Sequence, residues 1–130
     1  VRLAEGDYFR DALGGPYEAA LLSHILHSLS ETQCADLLRK AWEALAPGGR
    51  VIVHDFLLDP DRAGPEYAAL FSVHMLVNTE GGRAYSGEEI RALLREAGFR
   101  EVKIHRGVSP TTGAVTARKP APRGAKRARG

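Results

Sequence analysis

The sequence predicts a mixed α/β fold in which parallel strands are finished by an antiparallel hairpin. Three observations carry this: an apolar run too continuous for one-sided burial, two helices opened by capping boxes, and a late change of hydrophobic period from 3.6 to 2. The apolar run is Tyr17 to Ile25, the pattern of a strand buried in a parallel sheet. Ser30 with Gln33 starts the first helix, whose face is Cys34, Leu37, Leu38, Ala41 and Leu45, and Pro47-Gly48-Gly49 is expected to end it. A second apolar strand follows from Arg50 to Leu57, completing a strand, helix, strand unit. Past Asp59-Pro60-Asp61, residues 65 to 79 read as a helix stopped at Gly81-Gly82. Ser86 with Glu89 opens the last helix, which carries Ile90, Leu93, Leu94 and Ala97 and stops at Gly98. Val102 and Ile104 then alternate with polar residues, and Thr112 to Arg118 supplies the partner strand.

Composition narrows the class. The chain has 130 residues, 44% of them hydrophobic and 26% charged, which suits one folded domain at most and excludes a chain disordered throughout. Its apolar runs are far shorter than a membrane span. The single cysteine, Cys34, cannot form an internal disulfide or a thiolate metal cluster, so the expectation is a reducing cytoplasm. Residues 118 to 130 carry six bases and no acid, leaving twelve bases against sixteen acids upstream. Two prolines, Gly/Ala spacing and no aromatic mark the stretch from 120 to 130 as a solvated basic tail rather than a nucleic-acid contact.

Several segments, in order and spacing, resemble one family: Gly6-Asp7-Tyr8-Phe9, Leu22-Ser23-His24-Ile25-Leu26-His27-Ser28-Leu29, Leu45-Ala46-Pro47-Gly48-Gly49-Arg50-Val51, His74-Met75-Leu76, Gly81-Gly82-Arg83, Glu96-Ala97-Gly98-Phe99 and Thr116-Ala117-Arg118-Lys119-Pro120. The chain resembles the S-adenosylmethionine-dependent O-methyltransferases of the plant and bacterial small-molecule group, which includes caffeate and acetylserotonin methyltransferases. The resemblance implies a Rossmann-like class I methyltransferase fold. It also implies that residues 1–119 are the C-terminal portion of a catalytic domain. The family's Gly-rich cofactor loop, its ribose-holding acid and its N-terminal dimerisation region are not in this sequence, and Gly14-Gly15 has no strand before it. The first strand, Tyr17 to Ile25, is then expected to have an open edge.

The implied reaction is methyl transfer to a hydroxyl of a small aromatic or polyketide-like molecule, by a full-length homodimer. A phenol of pKa about 10 needs a base near neutral pH, and histidine suits that task. His27 follows a strand at the end where open α/β sheets bind ligands, and by resemblance it matches the family's base. The family's His-Asp-Trp reads His27-Ser28-Leu29 here. Asp55, at the end of the next strand, matches the acid that orients the base, though by itself a strand-end Asp also fits a loop cap. In the family's Gly-Gly-Lys/Arg-Glu-Arg-Thr motif the second orienting acid is replaced by Ala84, followed by Tyr85. That leaves three readings open: Asp55 suffices, Tyr85 substitutes by hydrogen bonding, or the reaction differs, as in a methyltransferase-like hydroxylase or decarboxylase. An inactive fragment is a further alternative. For the cofactor, S-adenosyl-L-methionine, the resemblance implies Asp7, Tyr8 and Ser23; for the acceptor pocket it implies Met75 and Asn78, where Met75 equally reads as core. His24, His27, His54 and Asp55 have metal-ligand chemistry, but spacing does not show convergence and the resembled family is metal-free, so no metal is expected.

Overall fold

In the computed structural model, which describes residues 2–61 and 63–122, four strands form one sheet. Strand β1 (Tyr17–Ser23) pairs in parallel with β2 (Leu45–Asp55). Strand β6 (Gly113–Arg118) lies antiparallel between β2 and β5 (Arg100–His105), giving the order β1-β2-β6-β5. Two short strands, β3 (Leu57–Leu58) and β4 (Tyr85–Ser86), pair in parallel beyond the end of β2. The expected mixed sheet with an antiparallel end is present. The basic run from 123 to 130 lies outside the described residues.

Both capping boxes form. Helix α1 (Glu31–Ala44) opens with Ser30 Oγ accepting from the Gln33 N–H and Gln33 Oε1 accepting from the Ser30 N–H. Helix α3 (Gly87–Ala97) opens with the same exchange between Ser86 and Glu89, and closes on Gly98 at φ +111°, a left-handed position that glycine adopts without a Cβ clash. Leu37 and Leu38 of α1 and Ile90 and Leu94 of α3 pack with Val51, Val53, Val115 and Phe99 in one core.

The first helix ends earlier than its sequence suggests. Leu45, expected on the helix face, already pairs with Tyr17 as the first residue of β2, so Pro47-Gly48-Gly49 is a kink inside that strand. The reason is a distant side chain. Lys119 Nζ donates to the carbonyls of Trp42 and Leu45 at 2.8 and 2.7 Å and lies 4.0 Å from the Trp42 ring centroid. It thereby adds a donor at the helix end, where the Leu45 N–H already reaches the Ala41 and Trp42 carbonyls.

Strand β1 has the open edge expected of it but not the burial its apolar run suggests. It forms one edge of the sheet, and Tyr17 and Leu21 are 49% and 63% exposed. Helix α2 (Glu66–Asn78) fills the expected span of 65 to 79; it ends where Thr79 turns to extended backbone, with its N–H and Oγ1 both donating to the Met75 carbonyl. It buries Ala68 and Met75 and leaves Leu70, Val73, Leu76 and Val77 exposed.

Candidate active site

The alternation of β2 puts Val51, Val53 and Asp55 on its covered face, so the strand that fills the core also delivers a carboxylate to its C-terminal end. The parallel neighbour β1 ends at Ser23. The chain then turns through His24, at φ +54°, into a 3-10 turn, Leu26–Ser28. Leu26 and Leu29 bracket His27 and are 1% and 2% exposed. Each buried leucine contributes about 1.5–3 kcal/mol relative to exposure, enough to fix a three-residue turn.

His27 meets Asp55 twice. Its Nδ1 lies 2.7 Å from Asp55 Oδ1, and its backbone N–H donates to Oδ2 at 3.4 Å. A carboxylate only accepts, so in the neutral imidazole the proton sits on Nδ1 and Nε2 keeps a free lone pair. Asp55 Oδ1 also accepts from the Phe56 N–H at 2.8 Å. Aromatic rings wall the imidazole: Phe71 of α2 stands edge-on at 4.9 Å between centroids, Phe56 packs on Phe71 at 4.3 Å, and Tyr67 lies 5.2 Å from Phe56.

Beneath the turn lies a second, buried layer. The Tyr85 hydroxyl donates to the Leu29 carbonyl at 2.7 Å, and the Cys34 thiol donates to the Leu26 carbonyl at 3.5 Å. Burial pushes the Cys34 thiol up from 9.0 to about 11 and holds the Tyr85 hydroxyl well above its ordinary value. The Tyr85 hydroxyl is thus engaged with the backbone of the turn that carries His27 and not with the imidazole. A Cβ at Gly82 would come within 2.6 Å of the His27 carbonyl oxygen, so only glycine lets this segment lie against the turn. Ala84 is fully buried, and its methyl group cannot accept a proton or orient a base.

A profile described as an O-methyltransferase domain matches residues 1–100. The 3-hydroxy-5-methyl-1-naphthoate 3-O-methyltransferase of Streptomyces sahachiroi is 43% identical over 117 residues, covering 90% of this chain and 34% of its own length. The acetylserotonin O-methyltransferase of Bos taurus is 43% identical over 119 residues, covering 92% and 34%. The crystal structure of human N-acetylserotonin methyltransferase in complex with SAM superposes with a TM-score of 0.84 at 35% identity, over 91% of this chain and 33% of that one. The chain belongs to the O-methyltransferase domain family. It spans about a third of the length of the curated relatives it matches.

Within this O-methyltransferase domain, the other residues singled out by resemblance fall in three places. Asp7 and Tyr8 line an open depression of about 300 Å³ together with Gly6, Asp11 and Leu13. Asp7 closes a turn by accepting the Phe9 N–H on Oδ1 at 2.9 Å, while Lys40 of α1 anchors the segment by donating to the carbonyls of Tyr8 and Asp11. Ser23 Oγ is engaged with His54 Nδ1 at 2.9 Å, and His54 Nε2 with Thr112 Oγ1 at 2.9 Å, which stitches β1, β2 and the loop before β6. Met75 is largely buried, while Asn78 is exposed and donates to the His74 carbonyl. The aromatic wall is what the sequence reading missed. Tyr67, Phe71 and Met75 recur every four residues, a spacing that any helix face shares, and the signal for a site is Phe56 immediately after Asp55.

Proposed function

We propose that the protein to which these residues belong transfers a methyl group from S-adenosyl-L-methionine to a hydroxyl of a small aromatic or polyketide-like molecule, with His27 as general base and Asp55 as its orienting acid. The observation that carries this reading is the 2.7 Å contact from His27 Nδ1 to Asp55 Oδ1. It leaves Nε2 as a proton acceptor beside an aromatic wall.

The residues present fit part of the cofactor. The Tyr8 ring, stacked with Phe9 at 4.6 Å and 37% exposed, offers an aromatic face, and the Asp7 carboxylate offers acceptors in the same depression. These two would hold the adenosine end, and Ser23 would assist with the hydrogen-bonding capacity that its contact to His54 leaves over. When bound, S-adenosylmethionine supplies an electrophilic methyl group on sulfur. The chain's own residues then have three tasks. Phe56, Phe71 and Tyr67 hold a flat acceptor and exclude water; His27 Nε2 takes the hydroxyl proton; Asp55 stabilises the resulting imidazolium through Nδ1–H. By resemblance, Met75 and Asn78 of α2 would face the acceptor. The exposed apolar residues of α2 support a homodimer of the full-length enzyme in which that helix is covered. Among the described residues no helix is long and apolar enough to cross a membrane.

Incubating the full-length protein with methyl-labelled S-adenosylmethionine and a panel of phenols tests the reading. A product heavier by one labelled methyl supports it, whereas a product gaining oxygen or losing carbon dioxide would replace it with hydroxylation or decarboxylation.

A further inference from the structure

Proton abstraction by His27 needs one carboxylate and one imidazole, yet a second imidazole closes on the same oxygen. His24 Nδ1 lies 3.8 Å from Asp55 Oδ1, too far for a hydrogen bond, while His27 Nδ1 lies 2.7 Å from it. One ligand atom from each of His24, His27 and Asp55 falls within 4.8 Å of the others. His24 is held there rather than left to swing. Its N–H donates to the His54 carbonyl at 2.9 Å, and its ring packs edge-on against Phe56 and His54, each at 5.0 Å. His54 is not a fourth member, because both of its ring nitrogens are taken by Ser23 and Thr112.

We propose that His24, His27 and Asp55 bind one divalent transition-metal ion such as Zn²⁺, with the fourth position open to solvent. Two imidazoles and a carboxylate are donors that suit zinc and its first-row neighbours, and three protein ligands with one open position is a common zinc arrangement. Bonds of about 2.0–2.1 Å in a tetrahedral site separate the ligand atoms by about 3.3 Å. The 2.7 Å contact must open and the 3.8 Å contact must close, each by roughly half an ångström, and the His24 and His27 ligand atoms, within 4.8 Å of each other, must approach by up to about 1.5 Å. Asp55 and His27 are largely buried and His24 is 40% exposed, so an ion can enter from the His24 side.

The consequence rests on the reading of His27 as base. A metal on Nδ1 uses the lone pair of that nitrogen, so the imidazole proton relocates through solvent from Nδ1 to Nε2. No net proton is released. An Nε2 that carries a hydrogen cannot accept one from a hydroxyl, and the bound ion holds the base in its inactive tautomer.

The test uses the full-length protein and needs no turnover. Titration with Co²⁺ should give one equivalent of visible absorption of tetrahedral intensity, displaced by one equivalent of Zn²⁺. Nitrogen-15 spectra should find the His27 proton on Nδ1 without metal and on Nε2 with Zn²⁺. His24→Asn, which suits the left-handed backbone there, and Asp55→Asn should each weaken binding by more than about tenfold, the range expected even for groups behind the ligands. His74→Asn should leave it unchanged. Zinc binding that survives His24→Asn in a variant with unchanged amide spectra, or a proton that stays on Nδ1 in the zinc form, would overturn the site. Failure of the base reading shows elsewhere, as full turnover by His27→Ala.

Discussion

Asp55 grips His27 through both of its carboxylate oxygens, one on the imidazole Nδ1 at 2.7 Å and one facing the backbone N–H at 3.4 Å. A single residue at the end of β2 thus fixes the ring's tautomer and the turn that carries it. Ala84 is buried and offers no side-chain acceptor, so in the proposed reading the orientation of His27 rests on this contact.

Replacing the base tests that dependence first. His27→Ala in the full-length protein should lower turnover by roughly 10² to 10⁴, the usual contribution of a positioned base, with cofactor affinity nearly intact. Asp55→Asn should lose less, because a carboxamide oxygen can still accept from Nδ1. Turnover and isothermal titration on the same preparations check both, and a silent His27→Ala would remove the imidazole from the mechanism.

Cofactor binding by the 130-residue chain should be weaker than micromolar. Asp7 and Tyr8 sit in a shallow depression on a turn, and the sequence contains neither the Gly-rich loop nor the ribose-holding acid on which this fold's affinity rests. Calorimetric titration with S-adenosylmethionine checks it; micromolar affinity would mean that the chain holds further contacts to the cofactor.

Local signals in the sequence were read correctly where local chemistry decides the outcome. Ser30 with Gln33, Ser86 with Glu89 and Gly98 mark helix ends through contacts within a few residues, and each does so in the structure. The end of α1 was misplaced because its cap, Lys119, comes from the far end of the chain. The candidate site divides the same way. His27 and Asp55 were visible as strand-end residues reinforced by resemblance, whereas the wall formed by Phe56, Phe71 and Tyr67 depends on how α2 rotates against β2. No spacing encodes that rotation. The approach of His24 to Asp55 is likewise set by the left-handed backbone at His24, a feature of the folded chain alone.

The buried thiol gives a pH dependence with a definite sign. Burial raises Cys34 from 9.0 to about 11, so between these values the folded state retains a proton that the unfolded state has lost. Stability is therefore full below pH 9 and falls as pH rises toward 11. Tyr85 shifts in the same direction and extends the loss upward. Denaturant midpoints measured from pH 8 to 11 should decline, and Cys34→Ala should flatten the lower part of that slope while keeping the upper part. A midpoint constant across this range would mean that the thiol titrates as if exposed.

The last prediction concerns the support under the turn. The Tyr85 hydroxyl donates to the Leu29 carbonyl at 2.7 Å in a region with almost no solvent, and the Arg83 guanidinium covers the ring at 4.9 Å from its centroid. Tyr85→Phe keeps the ring and its packing but removes the donor. The Leu29 carbonyl then loses its strong partner, and the Cys34 thiol 3.9 Å away already donates to the Leu26 carbonyl at 3.5 Å. Leaving a buried acceptor so poorly satisfied costs about 1–3 kcal/mol, readable as a lower urea midpoint with unchanged slope. Because Leu29 closes the turn that begins at Leu26, the same variant should let His27 drift from Asp55. Exchange of the His27 Nδ1 proton with solvent should then accelerate in nitrogen-15 spectra even where the chain stays fully folded. A loss of stability without faster exchange would make Tyr85 a packing residue only, and Asp55 alone would then hold the base.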